Sequence, residues 1–338
     1  MLLGANGEGV PMSFWENKKV LVTGGAGFVG SHVVEMLVQK NAAVRVADNL
    51  ENGSMSNLVN VKGHFEFLST DLRDADGCHM AVDGMDVVLN VAARVGGVSY
   101  NFARPATMFR DNMLIGLNVL EAARIHDVER FLVLSSACVY SRDCTIPMRE
   151  SDGFVSVPER SNEGYGWAKR MAEVQGRAYA EEWDMKVAIA RPFNSYGPRD
   201  QFDSERSHVI PSIIRRTYDG EDPLNVWGDG KQKRSFLYVT DFARGLLELI
   251  EKYPVPDPIN LGSDEEIGIG DLAAMIVRIS GNHPAIRFDS TKPSGQPRRN
   301  CDSTKAEEKI GFKAKIGLEE GLTRTMEWYR KSSSGERV

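Results

Sequence analysis

The chain has 338 residues, of which 42% are hydrophobic and 26% charged, and it carries a formal net charge of −6 at pH 7. This length holds one large domain or two smaller ones with substantial cores, and the acidic balance argues against a nucleic-acid partner. No apolar run approaches the roughly 20 residues of a membrane span, so no membrane association is expected. Cys78, Cys138, Cys144 and Cys301 have neither zinc-ligand spacing nor the look of a disulfide framework. No metal is expected, and scattered thiols without a signal-peptide pattern predict a cytoplasmic protein.

Residues 1–17, with Gly4, Gly7, Gly9 and Pro11, read as a loose leader. A first strand over 19–23 then runs into Gly24-Gly25-Ala26-Gly27-Phe28-Val29-Gly30 and a helical pattern over 31–39. Between strand and helix each glycine has a job: Gly24 permits the tight turn, Gly27 lets backbone approach a pyrophosphate, and Gly30 lets helix pack on strand. The N–H groups of Phe28 and Val29 open the helix, whose positive end suits phosphate. The second strand, 43–47, ends at Asp48-Asn49, about 20 residues past the turn, where an acid accepts hydrogen bonds from the adenosine ribose diol. Such an acid repels a 2′-phosphate, which favours NAD over NADP.

A third strand over 65–70 ends in Asp71-Leu72, a pair suited to an adenine amino group and its face. A fourth, 86–90, leads to Val91-Ala92-Ala93-Arg94-Val95-Gly96-Gly97, whose small residues let backbone lie close to a ligand. After a helix over 111–125, the apolar run Phe131-Leu132-Val133-Leu134 delivers Ser135-Ser136-Ala137-Cys138-Val139-Tyr140. Ligands bind beyond the carboxyl ends of parallel strands, so these hydroxyls and this thiol are placed for chemistry. Alternating strands and helices predict an α/β fold, a Rossmann-like doubly wound parallel sheet with a smaller mixed α/β C-terminal domain.

A polar loop over 142–162 precedes a helix from Gly164 to about Trp183. Tyr165 and Lys169 share one face of it at i, i+4 spacing, and a cation beside a phenol lowers its pKa from about 10 towards neutrality. The strand over 186–190 delivers Arg191-Pro192-Phe193-Asn194, after which the elements shorten. They include a helix opened by Ser207-His208-Val209, a strand over 224–227, Arg234-Ser235-Phe236, a helix over 241–252, a strand over 258–262, Arg298-Arg299 and a final helix over 318–330. The expected division is a dinucleotide-binding domain over 18–195, a mainly substrate-binding domain over 196–330 with segments crossing back, and a tail over 331–338.

Over residues 18–330 the chain resembles the extended short-chain dehydrogenases/reductases, within them the nucleotide-sugar epimerases and dehydratases. The motifs are GGAGFVG, the strand-end Asp48, SSACVY, YGWAK and RPFNSYGP. GDP-mannose 3,5-epimerases and GDP-fucose synthases are most similar, on Val95-Gly96-Gly97, Ser136-Ala137-Cys138, Trp227-Gly228-Asp229-Gly230 and the segment 259–265. The resemblance implies a hydride-transfer triad of Ser136, Tyr165 and Lys169, with Cys138 as base. A thiol serves as one where a neighbouring charge lowers its pKa. Opposite it, where the epimerases have Lys, this chain offers His208, as the synthases do. Asn194, Val209, Arg234 and either Arg298 or Arg299 match substrate-binding positions, and Gly96 and Gly97 the sugar's surroundings.

The implied activity is epimerisation of a nucleotide-diphosphate sugar, a GDP-hexose favoured, with NAD as cofactor. A GDP-fucose-synthase-like epimerase/reductase using NADPH and a simple 4-epimerase remain alternatives. A 4,6-dehydratase would need an Asp-Glu pair where Ala137-Cys138 stands. Ser135 reads as structural or as a minor cofactor contact. A homodimer through a four-helix bundle is implied by the resemblance alone.

Overall fold

The structure, a computed structural model, describes residues 13–203, 207–291 and 296–334. In the first half the apolar runs form β1 (Lys19–Thr23), β2 (Ala43–Asp48), β3 (Phe65–Ser69), β4 (Val87–Asn90), β5 (Arg130–Leu134) and β6 (Lys186–Pro192). The periodic stretches between them form α1 (Phe28–Gln39), α2 (Ala75–Val82), α3 (Val98–Ala103), α4 (Pro105–Ile125) and α5 (Glu163–Trp183). The second half comprises β7 (Ser195–Tyr196), α6 (Val209–Tyr218), β8 (Leu224–Trp227), β9 (Lys233–Ser235), β10 (Leu237–Tyr238), α7 (Val239–Lys252) and β11 (Ile259–Leu261). It continues with β12 (Glu266–Gly268), α8 (Ile269–Ser280), β13 (Ile286–Asp289), β14 (Arg298–Arg299), α9 (Thr304–Ile310) and α10 (Leu318–Ser333).

Seven strands make one sheet in the order β11-β6-β5-β4-β1-β2-β3, every neighbouring pair parallel. A parallel sheet is covered on both faces, which is why its strands read as unbroken apolar runs rather than alternating ones. The residues of β4 are all buried, as are Val20 to Thr23 of β1. Strand order reverses between β1 and β4, the switch point at which α/β sheets open a crevice. There Thr23 Oγ donates to Asn90 Oδ1 at 2.8 Å and accepts from Ala92 N at 3.0 Å, tying the two strand exits together.

The second half is not wholly separate. α7 buries Phe242, Leu246, Leu249 and Ile250 in the same core as Val33 and Leu37 of α1, and β11 extends the main sheet beside β6. A second core joins Ile210, Ile214, Leu224, Val226, Leu272, Ile276, Leu322 and Met326 beneath the short sheets. In one of those sheets β9 runs between β12 and β14.

Several boundaries differ from the sequence reading, and three of them bear on its division of the chain or have a clear cause. Of the leader, residues 1–12 lie outside the described residues, but Trp15 is fully buried and its Nε1 donates to Glu251 at 3.0 Å, so 13–17 are packed. The helix expected over 111–125 begins at Pro105, because proline's fixed φ and missing N–H suit a first turn. The final helix runs to Ser333, three residues into the expected tail, of which 335–338 lie outside the described residues.

Candidate active site

The glycine turn joins β1 to α1 as its spacing predicts, with the three glycines in different positions. Gly24 has φ +63°, and a Cβ there would lie 2.8 Å from Ala92 Cα, where the exits of β1 and β4 touch. At Gly30 a Cβ would lie 2.1 Å from the Gly24 carbonyl, so only glycine lets α1 pack on the turn. Gly27 is different: the Gly24 carbonyl, at 3.1 Å, is the single atom a Cβ would meet. Its outer face is therefore open. Gly27 is also the N-cap of α1 and gives no side-chain cap, leaving the first-turn N–H groups for an anion. This cradle fits a dinucleotide pyrophosphate.

Asp48 ends β2 with its carboxylate buried. Oδ2 accepts from Ala26 N at 3.0 Å and Oδ1 from Leu50 N at 2.8 Å. Burial raises its pKa against those two bonds. Asn49 holds the next turn, its Oδ1 accepting from Glu51 N at 3.0 Å. Asp71 stands at the end of β3, but its carboxylate is engaged by Arg73, which donates from Nη2 at 2.5 Å and from Nε at 2.9 Å. Leu72 corrects the sequence reading: its side chain is buried in the core beside Cys78, so only its backbone is left for a ligand. Ala92 and Ala93 are half-buried after β4. Arg94 turns its guanidinium onto Asp111, with Nε at 2.8 Å from a carboxylate oxygen, rather than holding it free.

Beyond β5 the chain makes one tight turn over Ala137–Val139, capped by Ser136, whose Oγ accepts from Cys138 N at 3.1 Å. The Ser135 hydroxyl is committed to the interior, its Oγ donating to Glu173 Oε1 at 2.5 Å, which gives that side chain a structural role. Gly96 likewise has a use the sequence hides. A Cβ there would lie 2.7 Å from the ring of Tyr100, which packs in one cluster with Met108, Tyr165 and Cys138. Gly97 caps the following helix, α3.

Tyr165 and Lys169 both point inward from α5. The Ser136 hydroxyl bonds the Tyr165 phenol, so serine, phenol and thiol lie side by side. The phenol is not lowered as the i, i+4 spacing predicts. Burial pushes it up, Cys138 adds to the rise, and the Ser136 bond only partly opposes them. Lys169 is what shifts down, to about 8, because burial disfavours its ammonium. Its Nζ donates to Leu134 O at 2.7 Å and lies 5.5 Å from the centre of the Tyr165 ring.

From the second half, β9 and β14 place Arg234 directly opposite Arg299. Burial first, and then the Arg299 charge, lower Arg234 to about 10. Arg299 Nη2 donates to Cys138 Sγ at 3.8 Å. Neighbouring strand residues face opposite ways, so Arg298 leaves this cluster and pairs with Glu266 at 2.7 Å. Asn194 Nδ2 donates to Ser235 O at 3.0 Å beside Arg234. His208 caps α6 ahead of Val209, with its ring half exposed and Nδ1 3.9 Å from Asp200. Partial loss of water opposes protonation there, but Asp200 outweighs it and raises the imidazole above its ordinary value.

Sequence reasoning missed the polar frame behind the turn. Arg191 donates to Glu173 from Nε at 2.8 Å and from Nη2 at 2.7 Å, and Arg170 holds Val139 O from Nε at 2.9 Å. One signal was available: Tyr165, Lys169 and Glu173 recur every four residues on one face of α5.

Residues 20–262 match the model of a family described as the NAD dependent epimerase/dehydratase family. A dTDP-4-dehydro-6-deoxy-D-allose reductase from a Streptomyces species is 33% identical over 320 residues, which cover 94% of this chain and 97% of the relative. GDP-mannose 3,5-epimerase 1 from Oryza sativa subsp. japonica is 30% identical over 331 residues, 96% of this chain and 85% of the relative. Among solved structures, the UDP-glucose 4-epimerase of Thermotoga maritima with UDP-glucose superposes with a TM-score of 0.83 at 30% identity, covering 93% of this chain and 99% of that one. With the glycine cradle and the Ser136, Tyr165 and Lys169 cluster in place, the chain belongs to the NAD dependent epimerase/dehydratase family, the extended short-chain dehydrogenase/reductase enzymes that work on nucleotide sugars.

Proposed function

We propose that this protein is an NAD-dependent nucleotide-sugar epimerase acting on a GDP-hexose by oxidation at carbon 4, proton exchange at carbon 3, carbon 5 or both, and re-reduction. The observation that carries this reading is the thiol of Cys138 packed beside the Tyr165 phenol, with the Arg299 guanidinium on its sulfur. A simple 4-epimerase has no use for a base at that point.

NAD, when bound, supplies the acceptor that takes a hydride from carbon 4 and gives it back. Tyr165 exchanges the proton of the carbon 4 hydroxyl, and Ser136 holds the reacting oxygen. Lys169 stays charged below about pH 8 and holds the nicotinamide ribose. A ketone at carbon 4 acidifies the protons on its neighbours. Cys138 as thiolate removes one, and the electron pair spreads into the carbonyl. His208, whose imidazole Asp200 raises above its ordinary value, returns a proton to the opposite face. Arg234, Arg299 and Asn194 bind the diphosphate, since a guanidinium fork suits phosphate oxygens. Asp48 receives the adenosine ribose, and Asp71 with the Leu72 backbone the adenine.

Exposed Phe109 and Leu117 on α4 and Val174 and Trp183 on α5 support a homodimer through these two helices. No helix among the described residues is long and apolar enough to cross a membrane, in keeping with a cytoplasmic enzyme. The reductase relative favours a second reading that ends in a net reduction, for which NADPH would be the hydride donor. A thermal-shift panel of GDP-, UDP-, CDP- and dTDP-sugars tests the substrate class, because binding stabilises the native state by mass action. The reading expects the largest shift with a GDP-sugar. A larger shift with another base overturns the GDP assignment.

A further inference from the structure

At the outer ends of β2, β3 and β4 lies a charged cluster of which the proposed function uses Asp71 alone. Glu51, three residues past Asp48, forms a short ion pair with Arg94 and stands 3.6 Å from Arg73. Arg73 also meets Asp71 at 2.5 Å and Asp111 at 3.1 Å. Arg94 reaches Asp111 through Nε at 2.8 Å and the Tyr100 hydroxyl through Nη1 at 3.1 Å. Arg110 closes the cluster on Asp111 at 2.7 Å. Asp111 is buried, whereas the Glu51 side chain is 37% exposed.

This cluster surrounds the place where a dinucleotide's adenosine ribose meets the sheet. The acid that ends the second strand receives the ribose diol, and an arginine nearby is what accommodates a 2′-phosphate. Two such arginines are present, and both are already paired. Asp48 is itself buried, with each oxygen accepting a backbone N–H, so the negative charge displayed to the ribose surroundings is that of Glu51 and Asp71, and of these Glu51 is the one not held by short bonds to Arg73. The position of Glu51 is fixed, because Asn49 holds its backbone N–H at 3.0 Å and also bonds Asp71.

We infer that Glu51 enforces the choice of NAD over its 2′-phosphorylated form by bonding Arg94 Nη2 and by holding its negative charge beside Arg73, so that the two guanidinium groups offer that phosphate no net positive charge. Asp71 and Asp111 hold the two guanidinium groups in place whether or not Glu51 is charged. Neutralising Glu51 therefore frees Arg94 Nη2 and leaves the preorganised cluster one charge more positive, able to make a charge-assisted bond to a phosphate. This inference rests on the NAD reading and deepens it.

Fluorescence titration with NADH and with NADPH tests it on the wild-type enzyme, on Glu51→Gln, and on Glu51→Gln combined with Arg73→Gln. The single variant is expected to bind NADPH about tenfold more tightly, with NADH changed less than about threefold, since one charge-assisted contact is of that order. Adding Arg73→Gln should remove most of the gain. An unchanged NADPH-to-NADH ratio in Glu51→Gln overturns the role of Glu51, and a gain that survives Arg73→Gln in full overturns the route through the arginine pair. A wild-type preference for NADPH contradicts the NAD reading itself, an outcome distinct from both.

Discussion

Ser135 donates a 2.5 Å hydrogen bond to Glu173, and through it the turn that carries Ser136 is locked to the helix that carries Tyr165. Glu173 is gripped by Arg191 with two bonds, and Arg191 Nη1 continues to the Tyr140 hydroxyl at 3.1 Å and the Glu150 carbonyl at 2.7 Å. The distance between the proposed reacting groups is thus set by polar contacts that never touch a ligand. Arg191 and Glu173 are both fully buried, so each depends on the other for charge compensation.

Glu173→Ala removes one half of that pair and strands a buried guanidinium. Breaking a buried pair in this way costs about 3–5 kcal/mol. A fall of that size in the stability from denaturant unfolding is expected, and a change under about 1 kcal/mol, the range of an exposed pair, contradicts the argument.

Acid stability has a separate source in His32. Burial, and then the charge of Arg199, lower it to about 4, against the Pro198 carbonyl contact and Glu35, which raise it. Between about pH 6.5 and 4 the unfolded chain takes up a proton that the folded chain refuses, so stability falls as pH falls through that window. The loss is on the order of 3 kcal/mol at most, and His32→Gln should flatten it. Denaturation midpoints at pH 7 and pH 4.5 measure this. Equal pH dependence in both proteins counts against it.

Tyr165→Phe deletes one oxygen from a buried cluster and leaves the glycine cradle intact. It should keep NAD on the purified protein, checked by mass spectrometry of the released nucleotide, while turnover falls by roughly 10²–10⁴, the usual worth of a positioned proton-transfer group. Unchanged turnover removes the hydride-transfer scheme.

Arg299 and Arg298 are adjacent but face opposite ways. Arg299→Ala should weaken GDP binding by roughly 10- to 100-fold in calorimetry, because hydrogen bonds to charged groups contribute about 1.5–3 kcal/mol. Arg298→Ala, which loses an exposed pair with Glu266, should bind GDP as wild type does. Equal losses from both substitutions contradict the strand assignment.

Which of these features the sequence discloses depends on their range. The glycine turn, the acid of β2 and the Tyr165–Lys169 face are legible because each is a local pattern with a physical job. The choice between Arg298 and Arg299 is not, since it follows from β14 pairing with β9 across more than 60 residues. The Ser135–Glu173–Arg191 frame and the pairing of Arg94 with Asp111 are also long-range, and a strand-end serine or a loop arginine looks the same in sequence whether it meets a ligand or the core. Leu72 misleads for a related reason: an apolar residue beyond a strand fits a ligand face as well as it fits the interior, and the packing of α2 decides for the interior. The expected drop of the Tyr165 phenol fails because spacing reveals the neighbouring lysine but not the burial that pushes the phenol up, which only the Ser136 bond opposes.

The proposal turns on whether the sulfur of Cys138 takes a proton. Incubating the enzyme with GDP-mannose in heavy water and locating deuterium by mass spectrometry and NMR measures this directly. The account predicts deuterium at carbon 3 or carbon 5 with the wild-type enzyme, and none with Cys138→Ala, which should still oxidise carbon 4. Exchange that persists in Cys138→Ala would show the thiol to be structural and leave a simple 4-epimerase as the better description.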